Sequence, residues 1–446
     1  MIAKQLIYKI IICYIIALIT IILRKFNFPI INKLLVDLPH KPAWLRIVIL
    51  LLLIGWILPA NAQFFELDSN RKHVTFPFRF VRNMIVIPVK INNKGPFNFI
   101  LDTGVGLMII TEPALIDSIN ISSKRLIKIP GLGDGEDNEA YITSSLNVAV
   151  KGVKGRGVYA ALLKKDYFNL SSYAGMPIHG LLGYEFFNSL AVKIDFGDST
   201  ITIYRPQNLH VFRKGTKIPI SIEDRKPYLR ANITFPNNKQ SNCKLVIDIG
   251  AGHPMSIENM IKNYGLPKKF VSANLGVGLN GPINGFLSRV DEVDLGKYKI
   301  KNVLTSFPDS NSAVNPSSVT RDGNLGMGLL KRFDVIFDYP DSVLYLRPGD
   351  HYNETFEHDM SGLEYYATGV DYHHVIISRV EPGSAGDAVG LEKGDEIMSI
   401  NFQSVEKMTL EDIDSIFKSR DDRSILLTIY HDKRYDTIIL TLKRRI

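Results

Sequence analysis

Two aspartates occupy the same local setting at widely separated points of the chain. Asp102 ends the apolar run Phe97-Asn98-Phe99-Ile100-Leu101 and is followed by Thr103-Gly104. Asp248 ends Cys243-Lys244-Leu245-Val246-Ile247 and is followed by Ile249-Gly250. One acid at the end of an apolar strand, before a glycine turn, carries little meaning. Two in matching contexts predict a pair of acids brought together across an internal pseudo-twofold axis. Carboxylates forced together share one proton, and such a pair activates water without metal or cofactor. The competing reading keeps them apart as turn acids, each bonding its own backbone.

The surroundings repeat as well. Asn92-Asn93-Lys94 matches Asn237-Asn238-Lys239, and Gly131-Leu-Gly133-Asp-Gly135 matches Gly276-Val-Gly278-Leu-Asn. Leu181-Leu182-Gly183 matches Asn324-Leu325-Gly326, and the run from Ile194 to Ser199 matches that from Phe337 to Ser342. Arg205-Pro206 and Arg347-Pro348 close the two units. The offsets stay between 142 and 146 residues, a drift that loop-length variation explains. Duplication of one unit is the simplest account.

Each unit reads as mostly strand. Ile85 to Ile91 and Ile201 to Tyr204 are rich in β-branched and aromatic residues and are bounded by Asn, Gly and Pro. Short helices are expected at Glu112 to Ser118, Tyr184 to Leu190, Ile257 to Tyr264 and Gly328 to Phe333. The clustered glycines at 131–135 and 276–281 predict hairpin tips. Two similar all-β lobes follow, each supplying one acid.

In the order Asp-Thr/Ser-Gly, glycine-tipped hairpin, two apolar residues and glycine, residues 74 to 348 resemble the bilobal retropepsin-like and pepsin-like aspartic proteases. The resemblance implies a mainly β, two-lobed acid-protease β-barrel fold with Asp102 and Asp248 as the catalytic pair. It implies Thr103, Gly104, Ile249 and Gly250 as loop support. Gly131, Gly133 and Gly135, with Gly276 and Gly278, would be flap residues closing over a polypeptide substrate in extended form. Ile249 stands where the family has a hydroxyl that ties the two loops together, so half of that clamp is expected to be missing. Gly106 and Gly252 stand where the family often has Ser or Thr supporting the acid, and Asn324 is polar where an apolar residue is usual.

From about Ser361 the pattern changes. A strand-like run from Val375 to Val380 leads into Glu381-Pro382-Gly383-Ser384-Ala385, then Gly390-Leu391-Glu392-Lys393-Gly394-Asp395-Glu396-Ile397 and a helix from Thr409 to Lys418. This resembles a PDZ domain of the kind appended to bacterial proteases. Such domains bind a peptide end by adding it to a sheet edge. Gly362-Leu363-Glu364-Tyr365 would be the loop that receives a peptide or protein ligand. A domain that merely packs on the protease is the alternative.

Charge and cysteine narrow the remaining classes. The chain of 446 residues carries a formal +8, but residues 1–62 hold seven Lys or Arg against Asp37 alone. That leaves +2 for the other 384 residues, so no nucleic-acid partner is expected. The leader has apolar stretches at Leu6 to Leu23 and Leu45 to Leu58, the second ending in Ala60-Asn61-Ala62. Cleavage after Ala62 is one expectation. Two membrane helices with a basic cytoplasmic loop are the other, the leader then being the membrane anchor. Both export the remainder to the periplasm or cell envelope. Only Cys13 and Cys243 are present, so no disulfide, metal or cofactor site is expected. The expected layout is a hydrophobic leader at 1–62, lobes at 63–210 and 211–350, and a PDZ-like domain at 358–446. The function expected is aspartic endopeptidase, with a non-catalytic peptide-binding or scaffolding protein of the same fold as its rival.

Overall fold

The computed structural model describes residues 64–446 except 69, 120, 122–123, 130–137, 237, 259–266, 279–280 and 310–318. The expectations for the leader, and for Gly131, Gly133 and Gly135, lie outside the described residues. Among the described residues no helix is long and apolar enough to cross a membrane.

The two acid-bearing units fold alike. In the first, the strand Lys94–Leu101 runs into Asp102 and pairs in parallel with Gly180–Leu182, whose other neighbour is the antiparallel Met108–Ile110. In the second, Gln240–Asp248 pairs in parallel with Gly323–Gly326, whose other neighbour is the antiparallel Met255–Ile257. A parallel neighbour buries both faces of a strand, which accounts for the unbroken apolar runs Ile100-Leu101 and Leu245-Val246-Ile247. The helices are shorter than expected: Leu115–Ser118 and Tyr184–Phe187 are each four residues long. Another begins at Met327 and ends at Leu330 because Phe333 already opens the strand Phe333–Asp338. Ile257, the expected start of a helix, ends the strand Met255–Ile257, and residues 259–264 of that expected helix lie outside the described residues.

A six-stranded sheet joins the lobes. Its order places Thr216–Pro219, Val343–Pro348 and Phe333–Asp338 beside Ala191–Asp195, Thr200–Tyr204 and His73–Pro77. Each unit gives three strands, and the central antiparallel pair runs from Ala191 opposite Asp338 to Ile194 opposite Val335. Phe187 and Phe337 meet edge to face across this seam, ring centroids 5.4 Å apart. One continuous apolar core spans both lobes, so their relative placement is fixed by backbone pairing and packing together.

The C-terminal unit has its own core around Ile377, Ile397, Ile413, Phe417 and Leu427. Its sheet begins at the edge strand Leu363–Thr368 and continues through His374–Val380. The helix Leu410–Phe417 opens with a capping box between Thr409 and Asp412 and buries Leu410, Ile413 and Phe417.

Candidate active site

Each acid emerges at the end of its buried strand and turns back on a glycine. Gly104 N donates to Asp102 Oδ1 at 2.7 Å, and Gly250 N donates to Asp248 Oδ1 at 3.0 Å. The two loops face each other so closely that each glycine abuts the opposite acid. A Cβ on Gly104 would lie 2.6 Å from the Asp248 carboxyl carbon, and a Cβ on Gly250 would overlap the Asp102 carboxyl. Burial, reinforced by the neighbouring Asp248 charge, pushes the Asp102 carboxyl well above its usual range.

The two acids are supported unequally. Asp248 also accepts from Ala251 N at 3.2 Å and from Asn324 Nδ2 at 2.7 Å, whereas among the described residues Gly104 is the one backbone donor on Asp102. Burial and the neighbouring Asp248 make Asp102 the partner better suited to hold a proton. Asn324, which the repeat marks only as an unusual polar residue, is thus a direct ligand of the second acid. Beside it lies the His253 ring, whose pKa burial lowers. Tyr339 is buried near both acids, and burial raises its hydroxyl pKa well above the ordinary value. Nothing in the local pattern around His253 or Tyr339 points to the site; both are brought there by the fold.

The clamp between the loops is one-sided. Thr103, fully buried, donates from Oγ1 to the Ile247 carbonyl at 2.7 Å and accepts from Ile249 N at 3.0 Å. Ile249 contributes apolar packing instead, at 1% exposure within the shared core. Gly106 and Gly252 are not gaps in the support. The hairpin turn at Asp224-Arg225 of the second lobe covers Gly106, where a Cβ would lie 3.1 Å from Arg225 Cβ. Arg225 Nη1 also donates to the Gly106 carbonyl at 3.4 Å. The equivalent turn of the first lobe, Arg82-Asn83, covers Gly252, and Asn83 Nδ2 donates to its carbonyl at 3.0 Å. Each acid loop is thus braced by a turn from the opposite lobe.

The remaining site candidates lie on other elements. Gly276 and Gly278 lie in the hairpin formed by Val271–Gly278 and Gly281–Leu295. Gly278 pairs with Gly281 at its end. Gly276 sits within a register shift between Asn274 and Val277, at φ +124, so it bends the strand rather than forming the tip. Gly362, Leu363, Glu364 and Tyr365 open the edge strand of the C-terminal unit. Gly362 has φ +74, and a Cβ there would overlap Ser384.

Comparison with protein families matches an aspartyl protease family to residues 87–186, which include Asp102 and the Leu-Leu-Gly element. A PDZ family matches residues 361–430. Comparison with curated proteins finds no match. Among solved structures, a photosystem II D1 C-terminal processing protease is 20% identical with a TM-score of 0.18, covering 20% of this chain and 23% of its own. The chain therefore spans under a quarter of that protein's length. An aspartic proteinase from Irpex lacteus is 12% identical with a TM-score of 0.41, covering 64% of this chain and 99% of its own. The chain carries an aspartyl protease domain and a C-terminal PDZ domain on a mainly β framework.

Proposed function

We propose that this protein is an aspartic endopeptidase that hydrolyses peptide bonds in extended polypeptide, using water activated between Asp102 and Asp248. The observation that carries the reading is the close approach of the two acid loops, one from each lobe, in which Gly104 abuts the Asp248 carboxyl and Gly250 abuts the Asp102 carboxyl. Asp248, as carboxylate, takes a proton from the bridging water, whose oxygen attacks the peptide carbonyl carbon. Asp102 donates its proton to the carbonyl oxygen as negative charge develops there. The tetrahedral diol then collapses, the C–N bond breaks, and a proton passes from the pair to the leaving amine. The hairpin carrying Gly276 and Gly278 would close over the substrate and exclude water. The PDZ domain supplies recognition of a peptide or protein segment. The basic loop between the two apolar stretches of the leader supports export of the catalytic part, free or tethered to the membrane by that leader.

The rival reading keeps the fold as a peptide binder without chemistry. Incubation with an unfolded protein at mildly acidic pH separates the two. Cleavage by the wild type, abolished in Asp102→Asn and in Asp248→Asn with the fold retained, is the expected result. Cleavage surviving either substitution would falsify the dyad, and binding without cleavage by the wild type favours the binder.

A further inference from the structure

The edge strand of the PDZ domain is covered from within the chain. A ligand that adds as a further strand needs that edge free. Among the described residues, Leu363–Thr368 pairs on one side only, with His374–Val380. On it converges the first-lobe turn Arg82-Asn83, which joins Arg79–Val81 to Met84–Ile91. Arg82 Nη1 donates to the Tyr365 carbonyl at 3.4 Å, while Nε and Nη2 each donate to the Asp414 carboxylate at 3.0 Å. Its backbone N donates to Glu411 Oε2 at 2.5 Å. Glu411 and Asp414 both lie on the helix Leu410–Phe417, so one residue ties the edge strand to the helix. The guanidinium carbon lies 4.3 Å from the Tyr173 ring centroid and 5.1 Å from that of Tyr365.

The cover extends along the strand in both directions. Gly175, just past the helix Leu170–Ala174, inserts where a Cβ would lie 3.3 Å from Leu410 Cδ1 and 3.7 Å from Ala367 Cβ. From the second lobe, Asn274 Nδ2 donates to Glu364 Oε2 at 2.9 Å. The loop before the strand is occupied too. Asp359 Oδ1 accepts from Gly362 N and from Ser361 Oγ, both at 2.7 Å, and Ser361 Oγ accepts from Leu363 N at 3.1 Å. A carboxylate from the chain itself therefore uses donors that would hold a peptide's terminal carboxylate. Arg82 reaches this place at φ +45, in the left-handed region, which costs a side-chain-bearing residue about 1–2 kcal/mol. Such a backbone persists where its surroundings over-determine it.

The same turn braces the second acid loop through Asn83 and the Gly252 carbonyl, four residues beyond Asp248. We infer that the strand-and-helix groove of the PDZ domain is the docking site for the Arg82-Asn83 turn of its own chain, and that this docking positions the Asp248 loop. The segment recognised is thus the protease itself. The positioning half rests on the proposed protease reading; the docking half does not.

Two measurements on the full chain test the halves separately. A fluorescent peptide with an apolar last residue and a free carboxylate is titrated against wild type and the double variant Asp414→Asn/Glu411→Gln. Binding at least about tenfold tighter in the variant is expected, since the change removes charge-assisted bonds to Arg82. Equal affinity in the two proteins, or none in either, overturns the docking. In the second measurement, kcat of the variant is expected to fall about tenfold with KM little changed, and Asp414→Glu alone to retain most of the wild-type rate. An unchanged kcat overturns the positioning half. A wild type that never cleaves defeats the protease reading instead, and the peptide titration still decides the docking.

Discussion

The Thr103 hydroxyl sits between two main-chain groups of the opposite lobe, donating to the Ile247 carbonyl and accepting from the Ile249 amide. Both partners flank Asp248, so one side chain of the first lobe fixes the loop that presents the second acid. The substitution Thr103→Val keeps the shape and leaves a buried N–H and C=O unpaired. The cost is about 1–3 kcal/mol for each group stranded. Thermal unfolding should show a clear drop in Tm, with kcat reduced more than tenfold, and Thr103→Ser should recover most of both. An unchanged Tm in the valine variant would remove the clamp from the account.

Gly250 offers a steric test. Its backbone passes so close to Asp102 that a methyl group overlaps the carboxyl. Gly250→Ala is expected to push the two acids apart and reduce cleavage at least about a hundredfold, since a displacement of about an ångström at a reacting centre has that effect. Retention of near wild-type kcat/KM would show that the carboxyl groups need not touch.

Asn324 tunes the pair. Its amide donates to the Asp248 carboxyl at 2.7 Å, so Asn324→Leu removes that bond at the second acid and should lower kcat about tenfold with KM little changed. An unchanged kcat would mean that Asn324 does not act through Asp248.

Glu185 stands apart from the dyad and makes a prediction about stability. It is 1% exposed, and burial pushes its carboxyl up to about 7 from the ordinary 4.5. The folded form therefore holds this proton more tightly than the unfolded chain does. Its contribution to stability is intact below about pH 4.5, declines as pH rises, and is lost above about 7. Glu185→Gln should raise stability at pH 8 by about 1–3 kcal/mol and change little at pH 4. Denaturant unfolding at the two pH values checks this, and an equal effect at both would show that titration is not the cause.

Duplication made much of this fold readable from sequence, because one local geometry is written twice. The strand before each acid, the glycine after it and the Leu-Leu-Gly or Asn-Leu-Gly element recur at nearly constant spacing, so two alike strand-rich units, each presenting one acid, could be expected. Contacts between the units left no such trace. Gly106 and Gly252 read locally as lost support, yet each is glycine where a turn from more than a hundred residues away lies over it. Asn324 read as a departure from an apolar pattern because the pattern records burial, not what the side chain meets. The Arg82 turn was equally silent: a positively charged hairpin tip looks like solvent-facing surface until its partners on the C-terminal helix are known.

The central pair of the inter-lobe sheet sets when a working site can exist. Ala191 pairs with Asp338 across 147 residues of chain, and the strand that carries Asp338 leaves the ribosome last of the six except for its neighbour Val343–Pro348. A nascent chain that has reached only the first lobe holds one acid and no partner. Long-range pairing of this kind forms late because the loop must be closed before its contacts repay it. Under the proposed protease reading, cleavage would begin only once both lobes are complete, sparing the growing, extended polypeptide.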